Sequence, residues 1–227
     1  MIPNLTLTDG GTIPTGTYGH IEARGNVCME PGVRFRTMNI DGDLVGSDMI
    51  GSSLHLNGSL HLPTGSLRVF NLHGRGRVLG QGDIYADCID IEGLINTEGR
   101  IIAKRYLKFC GLMEGQTNIV SRDVSILGVI HVETLLASHV RIETMHPKVV
   151  PLKDVKWMVR HSEIGTLICH YAELHKCGCN LVQSNIINLR EGTFVYDAVC
   201  TDTITTDKKS AAVMTLGGAK RLHVAGY

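Results

Sequence analysis

Aromatic side chains are scarce in this sequence: they make up 5% of its 227 residues, with a single tryptophan, Trp157. An interior built with so few rings is narrow and filled by Ile, Leu, Val and Ala. Net charge is also missing, because 22 basic residues cancel 22 acidic ones and the isoelectric point is near 7.2. That balance leaves no broad basic field to gather phosphates, which excludes nucleic acid as a main partner. It also removes the repulsion that keeps many proteins monomeric, so self-association is permitted. No window approaches the roughly 18 consecutive apolar residues of a membrane helix, and any membrane contact is expected to be peripheral. The seven cysteines lack the spacing of a disulfide framework. Met1-Ile2-Pro3-Asn4-Leu5 has neither the basic start nor the apolar run of a signal peptide, so reduced thiols in the cytoplasm are expected.

What is present is a repeat. An apolar residue, any residue, a second mostly apolar residue, any residue and then glycine recur seven times between Ile21 and Ile130. The phrases are Ile21 to Gly25, Met38 to Gly42, Leu54 to Gly58, Phe70 to Gly74, Ile89 to Gly93, Leu107 to Gly111 and Val124 to Gly128. Their glycines step forward by 17, 16, 16, 19, 18 and 17 residues. Leu5-Thr6-Leu7 before the run and Val140-Arg141-Ile142 after it keep the apolar spacing without the glycine.

Two-apart apolar residues put both side chains on one face of an extended segment, and glycine supplies the backbone angles a corner needs. A second phrase sits half a repeat away, as in Ile84-Tyr85-Ala86 and Ile101-Ile102-Ala103. A third follows the glycine, as in Leu94-Ile95 and Leu112-Met113. Three strands of about four residues plus corners fill a repeat near 17, which suits a coil of parallel β-helix. Helical repeats of roughly 33 residues need more room. The expectation is therefore all-β, a parallel β-helix (β-solenoid) with 16–19 residues per coil. Nine coils at about 4.8 Å would make a rod on the order of 40 Å long.

In chain order, residues 1–20 read as an N-terminal tail and incomplete first coil, and 21–145 as the regular β-helix. Pro147 and Pro151 interrupt the pattern, so 146–160 reads as an irregular connection in which Trp157 caps or covers a flank. Residues 161–215 read as two to three less regular coils, and 216–227 as a C-terminal tail.

Several residues invite chemistry. His170, His175, Cys177 and Cys179, with Cys169 beside them, lie within eleven residues, and thiolates and imidazoles are the ligands zinc prefers. The spacing argues against a site, since Cys177-Gly178-Cys179 leaves one residue where structural zinc sites leave two to four. Alternation would aim His175, Cys177 and Cys179 to one face and His170 elsewhere. Idle or buried thiols are expected, with no metal ligand, cofactor site or catalytic residue assigned. His55, His61 and His73 fall in the coils without a signalled nucleophile and acidic partner, and read as outward strand residues. Gly74-Arg75-Gly76 and Gly80-Gln81-Gly82 lack the strand-to-helix context of a phosphate loop and read as corners.

Together with Gly82-Asp83-Ile84-Tyr85-Ala86 and Gly99-Arg100-Ile101-Ile102-Ala103, the phrases resemble the bactofilins, a polymer-forming cytoskeletal family of bacteria. Gly10-Gly11-Thr12-Ile13-Pro14-Thr15-Gly16-Thr17-Tyr18-Gly19-His20-Ile21 is similar to the glycine-rich opening of the longer, Firmicutes-type members. Phe194-Val195-Tyr196-Asp197 leading to Asp202-Thr203-Ile204 resembles their C-terminal segment. The resemblance implies a right-handed β-helix that polymerises end to end without nucleotide, often at the membrane, as a scaffold for envelope or motility machinery. The segment from His146 to Arg160 and the Cys/His content depart from the plainer family pattern.

Physics points the same way, since a β-helix ends in unpaired strand edges and contacts that do not close on themselves propagate. A non-enzymatic cytoplasmic scaffold, partnered by copies of itself and by client proteins, is therefore expected. Two alternatives carry other expectations. A hexapeptide-repeat acyltransferase wants strict six-residue periodicity and a long loop with a catalytic histidine, for which His146 to His161 is the candidate. A zinc-bound interaction module wants the Cys/His cluster to converge.

Overall fold

A computed structural model describes residues 2–145 and 160–223. The chain is all-β, 78% strand, and winds into a parallel β-solenoid of about 12 turns. Its strands are β1 (Leu5–Leu7), β2 (Gly11–Ile13), β3 (Thr17–Met29), β4 (Arg34–Val45), β5 (Met49–Leu62), β6 (Ser66–Gly80), β7 (Asp83–Thr97) and β8 (Ile101–Glu114). They continue as β9 (Asn118–Leu136), β10 (His139–Glu143), β11 (Ser162–Ile168), β12 (Tyr171–His175), β13 (Cys177–Arg190), β14 (Phe194–Thr206), β15 (Ala211–Leu216) and β16 (Lys220–His223).

Each turn lies parallel on the one before, so residues about 17 apart become neighbours. One inward row runs Leu5, Ile21, Met38, Leu54, Leu72, Ile89, Leu107, Val124, Val140, Ala172, Ile187 and Ile204. From Ile21 onward every member of that row is buried. A second inward row on another face includes Met49, Leu67, Ile84, Ile101 and Ile119. Burying one such side chain stabilises the column by about 1.5–3 kcal/mol, and stacking equivalents one above another makes the core continuous. Phe35 fits because the next turn offers Gly51 beneath its ring, where an added Cβ would lie 2.1 Å from Phe35 Cε2.

The stack is longer than the nine expected coils. Thirteen levels of one face can be followed from Leu5 to Arg221, which at about 4.8 Å per level gives a length on the order of 60 Å. Ladders extend through the ends that looked like tails: β1 and β2 pair with β3, and β16 pairs with β14 past residue 216. The three short strands per coil also merge. β4 to β9 are each 12 to 19 residues long, because the corner residues stay hydrogen-bonded to their equivalents above and below.

The corner is a glycine ladder. Gly25, Gly42, Gly58, Gly76, Gly93, Gly111 and Gly128 stand in register. Gly76 belongs to this row and Gly74 does not: Gly74 pairs with Leu56 and Ile91, taking the second inward position. The ladder steps are thus 17, 16, 18, 17, 18 and 17, more even than the phrases suggested. The 18-residue step from Gly93 to Gly111 holds one extra residue, placed between Ala103 and Tyr106 where the register shifts. Gly93 and Gly111 have φ of +136° and +143°, and a Cβ on either would sit about 2 Å from the carbonyl oxygen of the ladder glycine one turn below. Backbone therefore packs on backbone along this corner.

Beyond Gly128 the corner changes. Lys176 (φ 54°) and Glu191 (φ 55°) take left-handed conformations in the C-terminal turns. β10 and β11 lie on successive faces of one level, pairing with β9 on one side and with β12 and β13 on the other. The chain leaves the ladder after Glu143 and is back in it at Ser162. The expected role of Trp157, and Pro147 and Pro151 with it, lie outside the described residues.

Candidate functional site

The two ends of the column are built from different residues. At the N-terminal end β1 and β2 pair, among the described residues, only with β3, so their outer edges carry N–H and C=O groups with no described ladder partner. The inward residues there are Leu5, Leu7 and Ile13, and nothing described lies above Leu5 and Leu7, which remain only half-buried. At the C-terminal end β15 and β16 pair, among the described residues, only with β14. The inward row that held Ile187 and Ile204 ends there in Arg221, and its neighbour ends in Thr206 and His223, whose side chains meet at 2.8 Å. Around this polar mouth the outward side chains are apolar: Val213, Met214, Leu216 and Leu222 are 48–56% exposed.

The flank carries a groove with a volume of about 1050 Å³. One outward row along it runs Asn96, Glu114, His131, Glu163, Gly178 and Phe194, and the next includes Glu133, Gly165, Asn180 and Tyr196. Glycine at 165 and 178 leaves the floor low between carboxylates at one end and exposed Phe194 (52%) and Tyr196 (55%) at the other. Glu114 is held by Arg160 at 3.1 Å and approached by His131 at 3.9 Å. His131 also meets the His161 carbonyl oxygen through Nε2 at 3.1 Å.

The Cys/His residues part company. Cys177 and Cys179 point into the core, 0% and 4% exposed, while His170 faces solvent. His175 was expected to share a face with the two cysteines and does not. The left-handed Lys176 between them shifts the inward phase from Ala172 and Leu174 to Cys177 and Cys179, which leaves His175 outside between Glu173 (3.4 Å) and Glu191 (3.6 Å). Among the described residues no three His, Cys, Asp or Glu side chains come together as a group that could hold a metal. Burial pushes the Cys179 thiol up to about 12 and the Cys169 thiol to about 11. Burial also raises Cys177 well above the usual thiol range, with its Sγ donating to the His175 carbonyl at 3.2 Å. These thiols are packing groups, protonated and shielded from solvent.

His55, His61 and His73 stand outward, as residues between inward neighbours must. The His55 and His73 rings lie tilted at 48° with centroids 4.8 Å apart, and burial followed by the nearby His55 charge hold the His73 imidazole below its usual value. The outer faces are otherwise laced by opposite charges one turn apart: Arg75 with Glu92, Lys108 with Asp90 and Arg100 with Asp83. The last is the best formed. Arg100 reaches Asp83 Oδ2 at 2.7 Å and Tyr85 Oη at 2.9 Å, and its hydrogen bonds chiefly hold the Asp83 carboxyl at about 2.

Sequence motifs alone single out neither this Asp83–Tyr85–Arg100 cluster nor the groove. The cluster had a signal, an acid and a base 17 residues apart. The groove had none until the register of β11 on β9 was known, because residues 146–159 hide the spacing. No described helix is long and apolar enough to cross a membrane. No family model, curated protein or solved structure matches this chain.

Proposed function

We propose that the protein is a non-enzymatic scaffold that self-assembles through the ends of its solenoid into nucleotide-independent filaments, as its resemblance to the bactofilins implies. The observation that supports this reading most is the pair of open ends. An unpaired parallel edge is a template for another strand, and proteins that stay monomeric blunt such edges with a cap, a bulge or a charge. Here the described N-terminal edge carries Leu5 and Leu7 at its mouth, half-buried and with no described residue above them. The C-terminal edge ends its inward rows in Arg221 and His223 but is ringed by exposed Val213, Met214, Leu216 and Leu222. Contacts at both ends of a rod propagate without closing.

The apolar N-terminal mouth is the contact on which the reading rests most. Leu5→Glu with Leu7→Glu places two carboxylates over that mouth and leaves every later turn intact. Sedimentation velocity on the full chain tests it. Concentration-dependent species larger than the 24.7 kDa monomer are expected for the parent and a strong loss of them for the variant. Equal association by both would exclude the N-terminal mouth as an interface.

A further inference from the structure

We propose that the groove on the flank of the column is a docking site for an extended segment of a partner protein rich in lysine or arginine. Its shape comes from the sequence. Gly178 has no backbone reason to be glycine, since its φ lies outside the left-handed region and an added Cβ would meet nothing nearer than the Ser162 carbonyl oxygen at 3.8 Å. A side chain there would instead fill the space between Glu163 and Phe194, its neighbours one turn below and one turn above. The missing side chain is what keeps the floor open.

Charge selects the occupant. Glu98, Glu114, Glu133 and Glu163 line the groove. Among the described residues the only cationic partner of these four is Arg160 on Glu114, with His131 alongside. Glu133 and Glu163 make no described ion pair. Phe194 and Tyr196 expose their rings at the other end, where a cationic side chain can rest over a ring face.

Length suits an extended chain. Six levels from Asn96 to Phe194 span about 24 Å at roughly 4.8 Å per level, the reach of about seven residues of extended peptide. The groove opens on the flank and its last level, Phe194 on β14, lies one level short of the edge strand β15; docking uses outward side chains, whereas end-to-end assembly uses the edge backbone and the mouths of the column. A failed peptide titration and a failed assembly experiment would refute different claims.

Fluorescence anisotropy on the full chain tests the proposal. The probe is a fluorescein-labelled heptapeptide with lysine at alternate positions and leucine at its centre. Its controls are the same peptide with glutamate for lysine and a labelled neutral oligosaccharide. Saturable binding of the lysine peptide alone is expected, weakening as salt is added. Gly178→Leu, which fills the floor, and the double variant Glu133→Gln with Glu163→Gln, which preserves shape, should each weaken it by about tenfold, two lost charge contacts being of that order. Unchanged far-ultraviolet circular dichroism and melting show that both variants fold. No saturable binding by the full chain would overturn the proposal, as would equal binding by the parent and both variants. Comparable affinity for the glutamate peptide would remove the charge argument. Tighter binding of the oligosaccharide would assign the groove to saccharide and overturn it equally.

Discussion

Replacing Gly111 by alanine should be among the most destabilising single changes available in this chain, although it adds one methyl group. Gly111 has φ +143°, and the added Cβ would lie 1.9 Å from the Gly93 carbonyl oxygen. Relief cannot come from a side chain swinging aside, because the obstacle is backbone that is itself pinned by Gly76 below, as Gly111 is by Gly128 above. Strain from the backbone angle is on the order of 1–3 kcal/mol, and displaced ladder hydrogen bonds add about 1 kcal/mol each. The expected loss is about 3–5 kcal/mol in all. Gly178→Ala is the control, since its Cβ meets nothing nearer than 3.8 Å; its effect should stay within about 0.5 kcal/mol of zero. Urea unfolding followed by circular dichroism reads the difference as midpoint and slope, the slope also showing whether the rod unfolds as one unit or in parts. If Gly111→Ala proved as mild as Gly178→Ala, the glycine ladder would not be the tight corner described here.

The thiols offer a second check. At pH 8 Ellman's reagent should label exposed Cys28 readily and leave Cys177 and Cys179 untouched until the protein is unfolded; rapid reaction of all seven would place the C-terminal turns elsewhere. Because the Cys179 thiol is raised to about 12, its contribution to stability is complete below the unfolded thiol value of about 8.5 and falls away as pH climbs towards 12. Cys179→Ala should melt lower at pH 8 yet lose less on going to high pH, and an equal alkaline slope in both proteins would reject the assignment. Asp83 works in the opposite direction. Its carboxyl is held at about 2, first by the Arg100 side chain, so its contribution is present above the ordinary carboxyl value and disappears as pH falls towards 2. Arg100→Gln should bring the Asp83 titration, followed by carboxyl carbon NMR, back towards about 3.9; an unchanged titration would mean that Arg100 is not its main partner.

Much of the fold was legible because a solenoid repeats one local rule. Ile21, Met38 and Leu54 announce both the period-2 strand and the 16- to 17-residue turn, and the same residues then stack in the core. Two features misled. In the fourth repeat Gly74 and Gly76 are both glycine, and only the ladder distinguishes the inward position from the corner; spacing alone chose Gly74. In the C-terminal turns the corner residue is Lys176 or Glu191, ordinary residues in the left-handed region, so the glycine punctuation vanishes from turns that still pair in parallel, with a register shift between Ser184 and Ile186. The same substitution explains His175. Alternation carried across Lys176 put it with Cys177 and Cys179, while one left-handed residue turns it to the outer side. The groove was hidden for a third reason: it is made of residues from levels separated by residues 146–159, and of glycines whose importance lies in what they leave empty.

Negative-stain electron microscopy of the purified full chain, across concentration, salt and pH and with no nucleotide added, tests the assembly claim most directly. Unbranched filaments, or sheets of them, are expected, with an axial repeat set by a column on the order of 60 Å. Single rods of that length under every condition, remaining monomeric at high concentration, would contradict it.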